Sequence, residues 1–180
     1  MNWDPWIPLI VVASSLLPGL IIFSLAEERI RLRTVLNLAG ALIKLVLVGL
    51  MLWGVYHGHH YETRLALLPG LELVLRAGPL SLLFVTLSTL LWLVTTVYAI
   101  GYLEGSPHRS RFFGFFSLCV TATVGVALAG NLITFLLFYE LLTLATYPLI
   151  VHRGTEEARN AGKTYLSYTI FGGALLMLGT

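Results

Sequence analysis

Apolar residues dominate long stretches of this chain, and polar residues collect in the short gaps between them. A membrane-spanning helix needs about 20 mostly apolar residues. Runs of that length lie at about 6–25, 35–56, 79–102, 112–128, 132–151 and 162–180. The first contains Pro18-Gly19, a kink that a bilayer helix tolerates. The third opens on Pro79, which suits a first helical turn. Phe112 to Val151 is nearly all apolar and, at roughly 40 residues, would be about 60 Å long as one helix. The hydrocarbon core is only about 30 Å thick, so this stretch must fold back. Its one turn candidate is Ala129-Gly130-Asn131. The pattern predicts an all-α polytopic membrane protein of about six transmembrane helices. It reads as one transmembrane domain over residues 1–180, with the bilayer as its first partner. His57 to Gly78 has apolar stretches too short to span, which reads as an ordered, hairpin-like surface connection.

Composition agrees. The chain is 57% hydrophobic and 11% charged, whereas soluble domains carry about 25% charged residues. The net charge of +2 matters less than its placement. Arg29, Arg31, Arg33, Arg109, Arg111, Arg153, Arg159 and Lys163 fall in alternate loops on one side, and Arg64 and Arg76 on the other. The positive-inside rule then predicts an outside N-terminus, and the expected location is a bacterial inner membrane. Trp3, Trp6, Tyr56 and Tyr61 fall at expected interfaces, as aromatic belts do. No basic–aromatic cluster suits nucleic acid. The first apolar run lacks a basic leader and reads as a retained helix. Cys119 is the sole cysteine and reads as a small buried hydrophobe.

Glu140 carries the sharpest chemistry. It is the one acidic residue inside any predicted span, near the middle of the fifth. A charge at that depth costs at least about 2.5–3.5 kcal/mol, so intramembrane ionisable residues are functional by default. Apolar surroundings disfavour an ionised carboxyl unless a cation lies nearby, so a moving neighbouring charge can switch its protonation. That is the requirement for a proton relay. The bland alternative is a neutral acid that helps helices pack. Thr143 and Tyr147 share its helical face, three and seven residues on. Thr146 lies nearby, and Pro148 frees a backbone carbonyl one turn earlier. Lys44 lies about ten residues inside the second helix, as an ion-pair partner, a relay point, a lysine facing a partner subunit or a snorkelling anchor. Lys163 stands at the inner end of the sixth helix, roughly 16 Å from the depth of Glu140. His57, His59, His60 and Glu62 form a histidine-rich patch in the outer connection. Such patches are usually solvated, and no metal site is assigned. Nucleotide fingerprints are absent.

The segments "GNLITFLLFYELLTLATYPLIVH" and "EEARNAGKTYLSYTIFGGALLMLG", with the upstream "GPLSLLFVTLSTLLWLVTTVYAIGYL", resemble the proton-conducting, antiporter-like subunits of respiratory complex I and of Mrp-type monovalent cation/proton antiporters. Of the two branches, "FYELLTLATYPLIVH" leans towards the Mrp-type antiporters. The first two helices match in hydropathy alone. The resemblance implies the first part of a bundle of about fourteen helices, built from inverted repeats with broken helices. It makes Glu140 the family's essential glutamate of helix five. In the family that residue pairs with a lysine of helix seven. Lys163 does not correspond to that lysine. It also implies partners: the remainder of the fold and other membrane subunits. No cofactor is expected, and no catalytic site lies in the chain, so redox chemistry would belong to other subunits of an NADH-quinone oxidoreductase-like complex. The expected function is proton, or monovalent cation/proton, translocation. Two alternatives are a structural membrane anchor for a soluble enzyme and, less favoured, a metalloenzyme using the outer histidines.

Overall fold

The computed structural model describes residues 4–103 and 105–179, so Trp3, Glu104 and Thr180 lie outside the described residues. Six helices run through it: α1 (Ile7–Phe23), α2 (Ile30–Tyr56), α3 (Pro79–Tyr102), α4 (Arg109–Ala127), α5 (Leu132–Ile150) and α6 (Glu156–Leu178). Between α2 and α3 the chain makes two strands, β1 (Tyr61–Leu68) and β2 (Leu71–Ala77). Among the described residues four helices, α2 to α5, are long and apolar enough to cross a membrane. α1 is equally apolar but shorter, at 17 residues.

Helix ends follow local chemistry more closely than hydropathy. α6 begins at Glu156, inside what the apolar pattern leaves as a polar loop. The Thr155 hydroxyl caps it by accepting from the Ala158 amide at 3.2 Å, and Glu156 and Glu157 occupy its positive first turn. α2 likewise starts among its arginines, at Ile30. The α4–α5 turn is Ala129-Gly130-Asn131, where Asn131 caps α5 by accepting from Thr134 N at 2.8 Å.

The connection predicted as hairpin-like is an antiparallel β-hairpin, in one register from Tyr61↔Ala77 to Ala66↔Glu72, with a shift before the last pair, Leu68↔Leu71. Pro69 and Gly70 close it, with Gly70 at φ +83°, where a side chain would be strained. Strand β2 is fastened to the α4–α5 turn. Arg76 N donates to Leu128 O and Gly130 N to Val74 O, both at 2.7 Å. Val74 N donates to Thr134 Oγ1, and Asn131 Nδ2 to Glu72 O, both at 2.8 Å. A Cβ on Gly130 would overlap Val74, so this approach requires glycine.

Helix α4 sits between α1 and α5. Small residues on its buried faces allow close approach, as in membrane bundles generally. Gly114 takes the ring of Phe23, Ser117 meets Gly19, and Gly125 takes the ring of Phe138. The largest apolar cluster lies towards the hairpin end and joins Val11, Val48, Met51, Leu75, Leu82, Val124 and Phe138. Outer faces carry exposed Leu, Val and Phe. Tyr61 does not join an aromatic belt: it is 5% exposed and its ring fills the notch at Gly54.

The α1–α2, α3–α4 and α5–α6 loops meet at one end. There Arg33 is buried at 2% exposure. It donates to Ser110 Oγ at 2.8 Å and pairs with Glu27 at 3.5 Å, while Glu27 accepts from Ser110 N at 3.0 Å. Arg33 is therefore a tie between α2 and α4 rather than a solvated loop residue. The hairpin end holds Asp4, His59 and His60, with Glu62 accepting from Arg64 at 2.6 Å and Arg76 at 2.7 Å.

Candidate functional site

Helix α5 carries Glu140 eight residues past its first residue, in mid-span. The side chain is half-buried and lies against α6, where its carboxylate occupies the space a Cβ on Gly173 would fill. Gly173 therefore makes room for the acid between the two helices. Among the described residues no ion pair involves Glu140; the pairs join Arg33–Glu27, His59–Asp4, Arg64 with Glu62 and Glu72, and Arg76–Glu62.

Tyr147, two turns further along α5, also faces α6, with its ring over Gly162. Thr143, between them in sequence, is buried at 3% exposure. The α5–α6 seam thus holds Glu140 and Tyr147 in glycine notches, and Thr143 inside the bundle. Lys163 is exposed on α6, beside Gly162. It lies ten residues, roughly 15 Å along the axis, from Gly173 at the level of Glu140. Thr146 turns to α4, donating to Leu142 O at 2.7 Å and lying 3.5 Å from Cys119 Sγ.

Lys44 is built into a different seam. It is fully buried and donates to Ser15 Oγ at 2.5 Å, and Ser15 Oγ lies 2.8 Å from Thr121 Oγ1. The ammonium stands 5.1 Å from the centroid of the Trp92 ring, a cation–π arrangement. Contacts from α1 and α3 thus hold it, with α4 reaching it through Ser15, whereas those at Glu140 come from α6. The histidines near the hairpin diverge: His57 Nδ1 donates to Trp53 O at 2.8 Å and His59 meets Asp4 at 3.4 Å.

Gly173 and Ser15 carry no signal of their own in sequence. Glycine in a span reads as general close packing. A 3.6-residue repeat cannot say which neighbour a notch faces. Ser15 becomes informative only because α1 sets it opposite Lys44.

A bundle of long apolar helices, with arginines gathered at one end and an acid in mid-span, defines an integral membrane protein. Residues 70–113 match the family model described as the N-terminus of chain 5 of NADH-ubiquinone oxidoreductase (complex I). Residues 129–180 match the model of the NADH:quinone oxidoreductase/Mrp antiporter transmembrane region. The chain is 34% identical over 111 residues to the Na(+)/H(+) antiporter subunit A1 of Staphylococcus haemolyticus, covering 61% of this chain and 14% of that protein. It is 28% identical over 138 residues to NAD(P)H-quinone oxidoreductase chain 5 of a Synechocystis species, covering 73% of this chain and 20% of that one. In the solved structure of the membrane-bound sulfane sulfur reductase, an archaeal respiratory membrane complex, one chain superposes with a TM-score of 0.77 at 22% identity. That match covers 94% of this chain and 26% of the other. The chain belongs to the antiporter-like membrane subunits shared by complex I-type oxidoreductases and Mrp-type antiporters. It spans 14% to 20% of the length of the two curated relatives above.

Proposed function

We propose that this chain takes part in translocating protons, or monovalent cations against protons, as part of a multisubunit membrane complex, with Glu140 as the relay. One observation carries the reading: a carboxylate set in mid-span, seated in a notch that Gly173 leaves open. Thr143 and Tyr147 line the path beside it. Lys163 stands exposed on α6 towards the arginine-rich end, where it draws in or releases the transported charge. The arginine-rich end faces the cytoplasm of a bacterial inner membrane, and the N-terminus with the hairpin faces outside. Lys44 does not join this path.

The mechanism is electrostatic. A proton leaving Glu140, or a cation moving towards it, changes the field at the next ionisable group. The activities of the relatives, a Na(+)/H(+) antiporter and a quinone oxidoreductase chain, both fit such a relay.

The test is formation of a pH gradient by membrane vesicles holding the complete complex, comparing wild type with Glu140→Gln, with assembly checked in parallel. An assembled variant that makes no gradient supports the relay. An unchanged gradient gives Glu140 a packing role and the chain a structural, anchoring one.

A further inference from the structure

The buried polar residues of α1 to α4 line up. On α2, Arg33, Asn37 and Lys44 lie on one buried face, four and seven residues apart. On α4, Ser110, Ser117 and Thr121 face them. Arg33 donates to Ser110, Ser117 Oγ donates to Asn37 Oδ1 at 3.3 Å, and Thr121 reaches Lys44 through Ser15. On α3, Trp92 and Thr96 border the same seam, and Gly40 lets the Trp92 ring approach α2. The result is a polar column that rises from the arginine-rich end and ends on Lys44. Beyond Lys44 the same α2 face continues as Val48 and Met51, in the apolar cluster.

Three buried polar atoms beside this column lack a hydrogen-bond partner among the described residues: Asn37 Nδ2, Trp92 Nε1 and Thr96 Oγ1. Leaving buried polar groups unsatisfied costs about 1–3 kcal/mol each, so such groups are normally served by internal water. Lys44 has three donors, and one goes to Ser15. The buried residues of α1, α3 and α4 that surround it are apolar or hydroxyl-bearing, with no acid and no second cation. The next buried charge is Arg33, three turns down its own helix.

We propose that Lys44 is a second proton-binding site of this chain, independent of Glu140, reached through internal water along the Asn37–Ser117–Thr121–Ser15 column from the arginine-rich end. A lysine held by a hydroxyl and an aromatic face, without a carboxylate, can give up its proton at low electrostatic cost. The apolar cap of Val48 and Met51 keeps the proton from passing straight through. Its use in transport rests on the translocation reading; its hydration does not.

Two measurements on the complete complex in vesicles test this. The first uses single cysteines on a Cys119→Ala background, with a small water-soluble methanethiosulfonate. Asn37→Cys is expected to react from the arginine-rich side, and Val48→Cys to stay unreactive from both. An unreactive Asn37→Cys, or equal reaction at Val48→Cys, overturns the hydrated column. The second compares gradient formation across pH in wild type, Lys44→Met and Lys44→His. The methionine variant keeps most of the length of the side chain and is expected to assemble with a severalfold slower initial rate. The histidine variant should restore most of the rate, with its profile moved to lower pH, because imidazole titrates at about 6.5 and lysine at about 10.4. A Lys44→Met complex with wild-type rate and profile overturns the proton-binding role. Should the wild-type complex make no gradient, translocation itself fails, and the cysteine labelling still decides the column.

Discussion

Gly173 leaves the carboxylate of Glu140 its place. A methyl group there would overlap the acid, and overpacking of this kind costs about 1–3 kcal/mol. Gly173→Ala is therefore expected to impair gradient formation nearly as much as Glu140→Gln while the complex still assembles. Shortening the acid should relieve it, so Gly173→Ala with Glu140→Asp should transport better than Gly173→Ala alone. A double variant no better than the single one would mean that Gly173 serves only the approach of α5 and α6. Glu62 supports a prediction of another kind. Hydrogen bonds from Arg76 and then Arg64 hold its carboxyl below the usual carboxylate range. A group lowered in the folded state stabilises it above the unfolded pKa, about 4.3, and loses that contribution as pH falls through the folded value. Amide exchange in β1 and β2 should therefore gain an opening component below about pH 4, and Glu62→Gln should abolish the pH dependence. Glu140 is readable at this scale because a carboxylate is conspicuous in an apolar run. Arg33 is not: its sequence neighbours are other arginines, and only the fold shows that it turns inward to Ser110.

Among the elements, the helices are legible as apolar runs because the bilayer imposes their length. The turn at Ala129-Gly130-Asn131 is legible because one helix cannot be twice as long as the membrane is thick. The start of α6 is not, since it is set by a threonine cap and two acids rather than by apolar residues. Strand pairing in the α2–α3 connection is also obscured: β1 and β2 alternate poorly, and part of their burial comes from the helices beneath. Asn131 joins two elements with one side chain, capping α5 and donating to Glu72 O. Asn131→Ala should cost about 1 kcal/mol for the cap, within a range of roughly 0.5–2. It should also speed amide exchange at Thr134 and along β2. Exchange that changes at Thr134 alone would show that the hairpin is held by its backbone bonds.

For the whole molecule, the gathering of cations at one end is an orientation signal that a single experiment reads. With a membrane-impermeant maleimide on intact cells, His60→Cys at the hairpin end should label. Arg159→Cys at the other end should label only after permeabilisation. The reverse pattern would invert the assignment of sides while leaving the fold untouched. Such a reversal would also place the mouth of the Lys44 column on the outer face. The chain alone, with six helices among the described residues, covers a fraction of its relatives' length. Gradient and labelling measurements therefore belong in the assembled complex.

The clasp between β2 and the α4–α5 turn has a mechanical consequence. Four hydrogen bonds hold the first turn of α5 and the residues before it, so any tilt of α5 must pivot at that end. Sideways travel then grows with distance from the pivot. Glu140 lies about 12 Å along the lever from Leu132, and Ile150 about 27 Å. A tilt that swings the arginine-rich end by a full side-chain width moves the acid less than half as far. The fulcrum thus steadies the carboxylate more than it steadies the far end of the helix. Spin-label distances across α5–α6 should broaden at Ile150 and stay narrow at Leu132.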